Sequence, residues 1–218
     1  MMPVQTSDSS AVAVAVVIFT VRQGVLSVLL IHRNAEPYAG RWALPGGLLL
    51  ERETLDQAAA RKLVSETGVS DVYLEQLYTF DAAPAQASAR ATVAYFALVD
   101  EARVQLDVRP TWQPAWYPVQ DLPELAFGNG LVISYALRRL RAKLGYSNVV
   151  YSLLPERFTL TQLQQAYEAI LARHLDKRNF RKRILSLEFV EQTDQVRHAG
   201  AHRPARLYRF SRREPLIF

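Results

Sequence analysis

The 218-residue sequence contains no cysteine. That single absence excludes disulfides, thiolate nucleophiles and cysteine-based zinc sites together, and it agrees with a cytoplasmic address. Histidine is scarce as well, with only His32, His174, His198 and His202. The last two are four apart but lie in a Gly- and Pro-containing stretch unsuited to a helix, so all four read as surface or packing residues rather than metal ligands. No apolar run approaches the ~20 residues that a membrane span needs. The run AVAVAVVIF from Ala11 has no basic residue before it, as an export signal would, and reads as a buried strand. No internal repeat is visible.

Half of the positions are apolar, enough to build a sizeable core in one domain or two. Charge distribution favours two. Residues 1–150 carry 13 Lys and Arg against 14 Asp and Glu, whereas residues 151–218 carry 13 against 7, so the net excess is C-terminal. A near-neutral domain over residues 1–145 and a basic one over 146–218 follow, with a polyanion as the partner of the second.

Apolar, β-branched runs at Val12–Phe19 and Val25–Ile31 flank RQG and predict a strand pair, and further strands are predicted at Val72–Phe80 and Ala91–Val99. Between these pairs, Thr54 and Gln57 form a capping box, helix formers run from Leu55 to Glu66, and Gly68 sits at the C-terminal cap. Prolines then thicken at 110, 114, 118 and 123, before an amphipathic helix from Leu131 that ends at Gly145, where the linker begins. From Phe158 onward the order is helix, helix, two strands, which is that of a winged helix-turn-helix. The fold class is α+β, a mixed sheet sandwiched by helices with an appended C-terminal domain.

Residues Gly47, Glu53, Arg61, Leu63, Glu66, Gly68 and Val69, preceded by RWALPGG from Arg41, fall in one fixed register. That register resembles the fingerprint of the Nudix hydrolases, which the resemblance implies use a helix face of carboxylates to hold Mg²⁺ and cleave diphosphates. Two positions depart from it: Lys62 and Ser65 stand where the fingerprint has Glu. Residues 62, 65 and 66 share a helix face, and a lysine among metal ligands repels the metal. It can instead meet a diphosphate as a fixed point charge. Glu51, Glu53 and Asp56 could be substitute ligands, yet they are equally ordinary acids at a helix start. The reading is a non-catalytic domain, needing no cofactor, that binds a nucleoside diphosphate compound through Arg33, Arg41, Trp42, Gly46, Gly47, Arg61, Lys62 and Glu66. Trp42 could as well be core, and Arg61 is better suited to an internal salt bridge with Glu53 than to phosphate.

In LDKRNFRKRILSL, from Leu175, the residues Phe180, Ile184 and Leu187 fall on one helical face and Arg178, Arg181 and Lys182 on the other. Asp176 can cap the helix, and its first turns would meet DNA. The candidates for DNA contact are Lys177, Arg178, Asn179, Arg181 and Lys182, with Thr161 and Gln162 in the preceding helix and Arg203 in the basic strip HRPARLYRFSRR. The segments FTLTQLQQAYEAILARHLDKRNFRKRIL and RPARLYRFS resemble the DNA-binding half of the Nudix-related transcriptional regulators of NAD metabolism, the NrtR family. The resemblance implies a homodimeric repressor of double-stranded operator DNA with ADP-ribose or a related NAD-derived metabolite as effector. The rival readings are an ADP-ribose hydrolase with an atypical metal site and an RNA-binding scaffold.

Overall fold

The computed structural model describes residues 12–81, 89–106, 113–197 and 204–218. His198, His202 and Arg203 lie outside the described residues. Strands β1 (Val12–Arg22) and β2 (Val25–His32) form an antiparallel hairpin. They share one sheet with β3 (Trp42–Ala43), β4 (Gly46–Leu48), β5 (Tyr73–Asp81), β6 (Ala91–Leu98) and β7 (Gln113–Pro118). The spine runs β3-β2-β1-β6-β5, with β4 against β1 and β7 against β2. Only β1 and β6 run parallel among these pairs, so the sheet is mixed.

Alternation along β1 assigns its two faces. Val14, Val16 and Ile18 pack with Ala58, Ala59 and Leu63 of helix α1 (Leu55–Thr67). Ala15, Val17 and Phe19 join the opposite core with Val132, Ile133, Ala136 and Leu140 of helix α2 (Asn129–Lys143). A strand buried on both faces reads as an unbroken apolar run, which is why Val12–Phe19 shows no polar alternation. Helix α1 carries the expected capping box between Thr54 and Gln57 and the Gly68 cap.

The chain beyond α2 is a packed joint. Val149–Leu153 form a short 3-10 turn in which every residue is buried. The Tyr73 amide donates to Ser152 Oγ at 2.8 Å, tying this turn to β5. Arg213 Nη2 donates to the carbonyl oxygens of Tyr151 and Leu154 at 2.7 and 2.8 Å. Helix α3 (Leu160–Leu171) opens with a capping box between Thr159 and Gln162, and α4 (Lys177–Ser186) with Asp176, whose Oδ1 accepts from the Asn179 amide at 2.8 Å. A hairpin of β8 (Val190–Arg197) and β9 (Ala205–Phe210) follows, and Phe158 exchanges backbone hydrogen bonds with Tyr208 of β9. Phe158, Phe180, Ile184, Phe189 and Phe210 belong to the same apolar cluster as the α2 face of the sheet. Among the described residues, no helix is long and apolar enough to cross a membrane.

Candidate functional site

A cleft of about 430 Å³ opens where β4 crosses β1, bounded by the segment after β2, the end of β5 and the start of α2. Gly46 and Gly47 form its floor. A Cβ on Gly46 would lie 2.6 Å from the Val14 carbonyl oxygen, closer than side-chain atoms come, so the approach of β4 to β1 demands glycine there. Gly47 has φ +152°, a backbone conformation that side chains rarely adopt, and the Cε and Nζ of Lys62 lie 3.4 and 3.5 Å from where a Cβ would stand. Lys62 is half-buried and lines the cleft. Burial pushes its ammonium below the ordinary lysine pKa, while the Glu66 carboxylate opposes that shift.

Arg33, Gly46, Gly47 and Lys62 therefore share one cleft. Arg33 is held in place: its Nε donates to the Pro37 carbonyl at 3.0 Å, and its guanidinium sits 4.6 Å from the centre of the Phe127 ring. The remaining proposed residues lie elsewhere. Arg41 pairs with Glu124 at 2.7 Å. Trp42 packs edge-on against His32 and Tyr117, with ring centres 5.0 and 4.8 Å apart, so it supports the cleft wall rather than offering a stacking face. Arg61 grips both oxygens of Glu53 at 2.6 and 2.7 Å, as its internal reading required. Glu66 is only 4% exposed and accepts from Ser65 Oγ at 3.3 Å.

Sequence reasoning missed His32, Phe80, Asp81, Phe127 and Asn129, which also line the cleft. Asn129 Oδ1 accepts from the Leu44 amide at 2.8 Å, fixing the start of α2 to the segment between β3 and β4. The signal available was FGNG from Phe127, a turn cluster at a helix start.

A divalent metal needs several hard oxygen donors converging on one point. The described residues at this helix do not fit one. Glu53 is saturated by Arg61 and by the Leu50 amide, and this donor set lowers its carboxyl pKa to about 2. Asp56 accepts from the Tyr95 hydroxyl at 2.6 Å, and Glu66 is buried. Among the described residues no three His, Asp or Glu side chains are grouped as a metal site requires.

On α4, Phe180 and Ile184 are buried, whereas Lys177, Arg178, Asn179 and Lys182 are exposed. Lys177, Arg178 and Lys182 make no ion pair with any described residue. Arg181 departs from the expected open face. It is half-buried, with a covered Nε that has no hydrogen-bond partner among the described residues. Spacing explains this, since 181 lies one turn before the buried Ile184, at i and i+3, and so borders the packing stripe. Thr161 is exposed, while Gln162 commits its Oε1 to the Thr159 amide at 2.9 Å.

Comparison with known proteins agrees with both halves. Residues 9–135 match the NUDIX domain, and residues 150–210 match the NrtR DNA-binding winged helix domain. The chain is 39% identical over 214 residues to the ADPR-responsive transcriptional repressor NtrR of Acinetobacter baylyi, covering 95% of this chain and 85% of that protein. It superimposes on Shewanella oneidensis NrtR complexed with a 27mer DNA with a TM-score of 0.82 at 34% identity, over 92% of this chain and 93% of that one. The NUDIX domain of the same Shewanella protein, complexed with ADP ribose, matches 64% of this chain and 94% of its own length at 33% identity and a TM-score of 0.55. This chain belongs to the NrtR-type transcriptional regulators, in which a Nudix domain is joined to a DNA-binding winged helix.

Proposed function

We propose that this protein is a cytoplasmic repressor that binds operator DNA as a homodimer through the exposed face of α4 and responds to ADP-ribose in the β1–β4 cleft without hydrolysing it. The effector domain covers residues 1–145 and the DNA-binding domain residues 146–218. The observation that carries this reading is Lys62, a half-buried ammonium beside Gly47 at the position where the hydrolase fingerprint has a carboxylate. A cation there attracts a diphosphate and supplies no Lewis acid to activate water. Arg33, with Gly46 and Gly47 lining the same cleft, completes the anion-binding pocket, and no resident cofactor is needed. Arg41, Trp42, Arg61 and Glu66 act by supporting its walls. Arg178 and Lys182 contact the duplex together with Lys177 and Asn179. Arg181 borders that surface, and Thr161, Gln162 and Arg203 flank it.

The decisive experiment selects bound duplexes from random DNA with and without ADP-ribose. Recovery of a two-fold symmetric site whose enrichment changes with ADP-ribose supports the reading, while absence of any preferred duplex removes it. With Mg²⁺ or Mn²⁺ present, turnover of ADP-ribose reaching about 1 s⁻¹, an ordinary enzyme rate, would establish the hydrolase instead.

A further inference from the structure

A second cleft, of about 340 Å³, lies where the end of α2 meets α3 and α4. It shares no lining residue with the first. Arg141, Arg173 and Arg183 line it against one acid, Asp176, whose carboxylate is engaged in capping α4. Leu171 and Leu175 supply apolar wall. Tyr167 also lines it, with only 6% of its surface exposed, and its hydroxyl has no hydrogen-bond partner among the described residues. An unmet buried hydroxyl is unfavourable, so a group that accepts a hydrogen bond from it is favoured there. Burial also raises the hydroxyl's pKa, which keeps it a neutral donor, and the Arg183 charge acts on it.

We infer that this junction cleft is an accessory site for a small organic anion, an apolar body bearing one phosphate or carboxylate, held by Arg183 and the Tyr167 hydroxyl. The location gives the site a consequence. Arg183 Nη2 donates to the Gly145 carbonyl at 3.3 Å, and Arg141 Nε donates to the Ile170 carbonyl at 2.8 Å, so these two arginines already bridge the helices on either side. An anion drawing on Arg183 would fix the angle of α4 against α2, and through it the presentation of Arg178 and Lys182. This site is independent of how the first cleft is read.

Phenyl phosphate and benzoate are suitable probes, titrated by ligand-observed NMR into the full-length protein with and without excess ADP-ribose. Saturable binding of either probe is expected, and which of the two binds tells phosphate from carboxylate. Tyr167→Phe keeps the ring and should weaken the probe several-fold. Arg183→Gln should weaken it about tenfold, the scale of one charge-assisted hydrogen bond. Both variants should retain the wild-type ADP-ribose affinity. The inference is overturned by no saturable binding, by displacement of the probes by ADP-ribose, or by affinities unchanged in both variants.

Discussion

Helices α1 and α4 both present clustered cations near a proposed binding surface, but the two clusters are in opposite states. On α1, Arg61 is locked onto Glu53 through two short hydrogen bonds, and Lys62 is half-buried against Gly47. On α4, Lys177, Arg178 and Lys182 stand in solvent and make no ion pair with any described residue. The difference teaches that a cation's partner, rather than its presence on a helix face, decides what it can do. Arg61 holds the Leu50–Glu53 turn in place, and the α4 cations remain available to a polyanion. Lys62 falls between these cases, half-buried yet lining the first cleft.

The sharpest break in this comparison should come from the packing side of α4. Phe180 is 7% exposed, and Phe180→Ala should cost roughly 3–5 kcal/mol of stability in denaturant unfolding. A cost near zero would mean that the helix face has been assigned backwards. Next in size, Arg178→Ala or Lys182→Ala should lose roughly 1–3 kcal/mol of operator affinity where the side chain reads a base. Where it meets phosphate, binding to all sequences should weaken alike and the salt slope should fall by about one. Neither change should alter the unfolding midpoint. Lys62→Met should weaken ADP-ribose binding about tenfold, as loss of one charged hydrogen-bond donor does, while operator affinity without ADP-ribose stays as in the wild type. Calorimetry and gel-shift titration read the two halves separately.

The smallest effect concerns acid. Glu53 has its folded pKa lowered to about 2, below the ordinary glutamate value of about 4.3. The Arg61 clamp therefore contributes fully above that ordinary value and is lost as pH falls through about 2. The difference in unfolding midpoint between wild type and Glu53→Gln should narrow as pH is lowered from about 5 to about 2. A constant difference would remove the charge from the explanation.

What the sequence disclosed depended on how local each signal was. The capping boxes at Thr54 and Thr159 and the apolar stripe of Phe180 and Ile184 are written within a few residues, and α1, α3 and α4 appear where they were expected. Strand β7 was hidden because Pro114 and Pro118 argue against a strand, yet among the described residues it pairs with β2 alone, and an edge strand tolerates proline. The expected linker after Gly145 proved to be the buried turn Val149–Leu153, since apolar residues there complete a core whose other members are distant in sequence. The cleft was half legible. Gly46, Gly47 and Lys62 belong to one motif, whereas Phe80, Asp81 and Asn129 reach the same cavity only through the sheet's topology.

In the proposed function, occupancy of the Nudix cleft controls DNA binding by α4. The packed joint makes this mechanically direct, because β5, the Val149–Leu153 turn and the winged helix share one apolar cluster. Coupling between sites is reciprocal: whatever factor ADP-ribose applies to operator affinity, the operator must apply to ADP-ribose affinity, typically about 5–150-fold. Calorimetric titration of ADP-ribose into free protein and into the protein–operator complex measures that factor. The two affinities should differ within that range and match the shift in operator binding, and equal affinities in the two titrations would contradict such coupling.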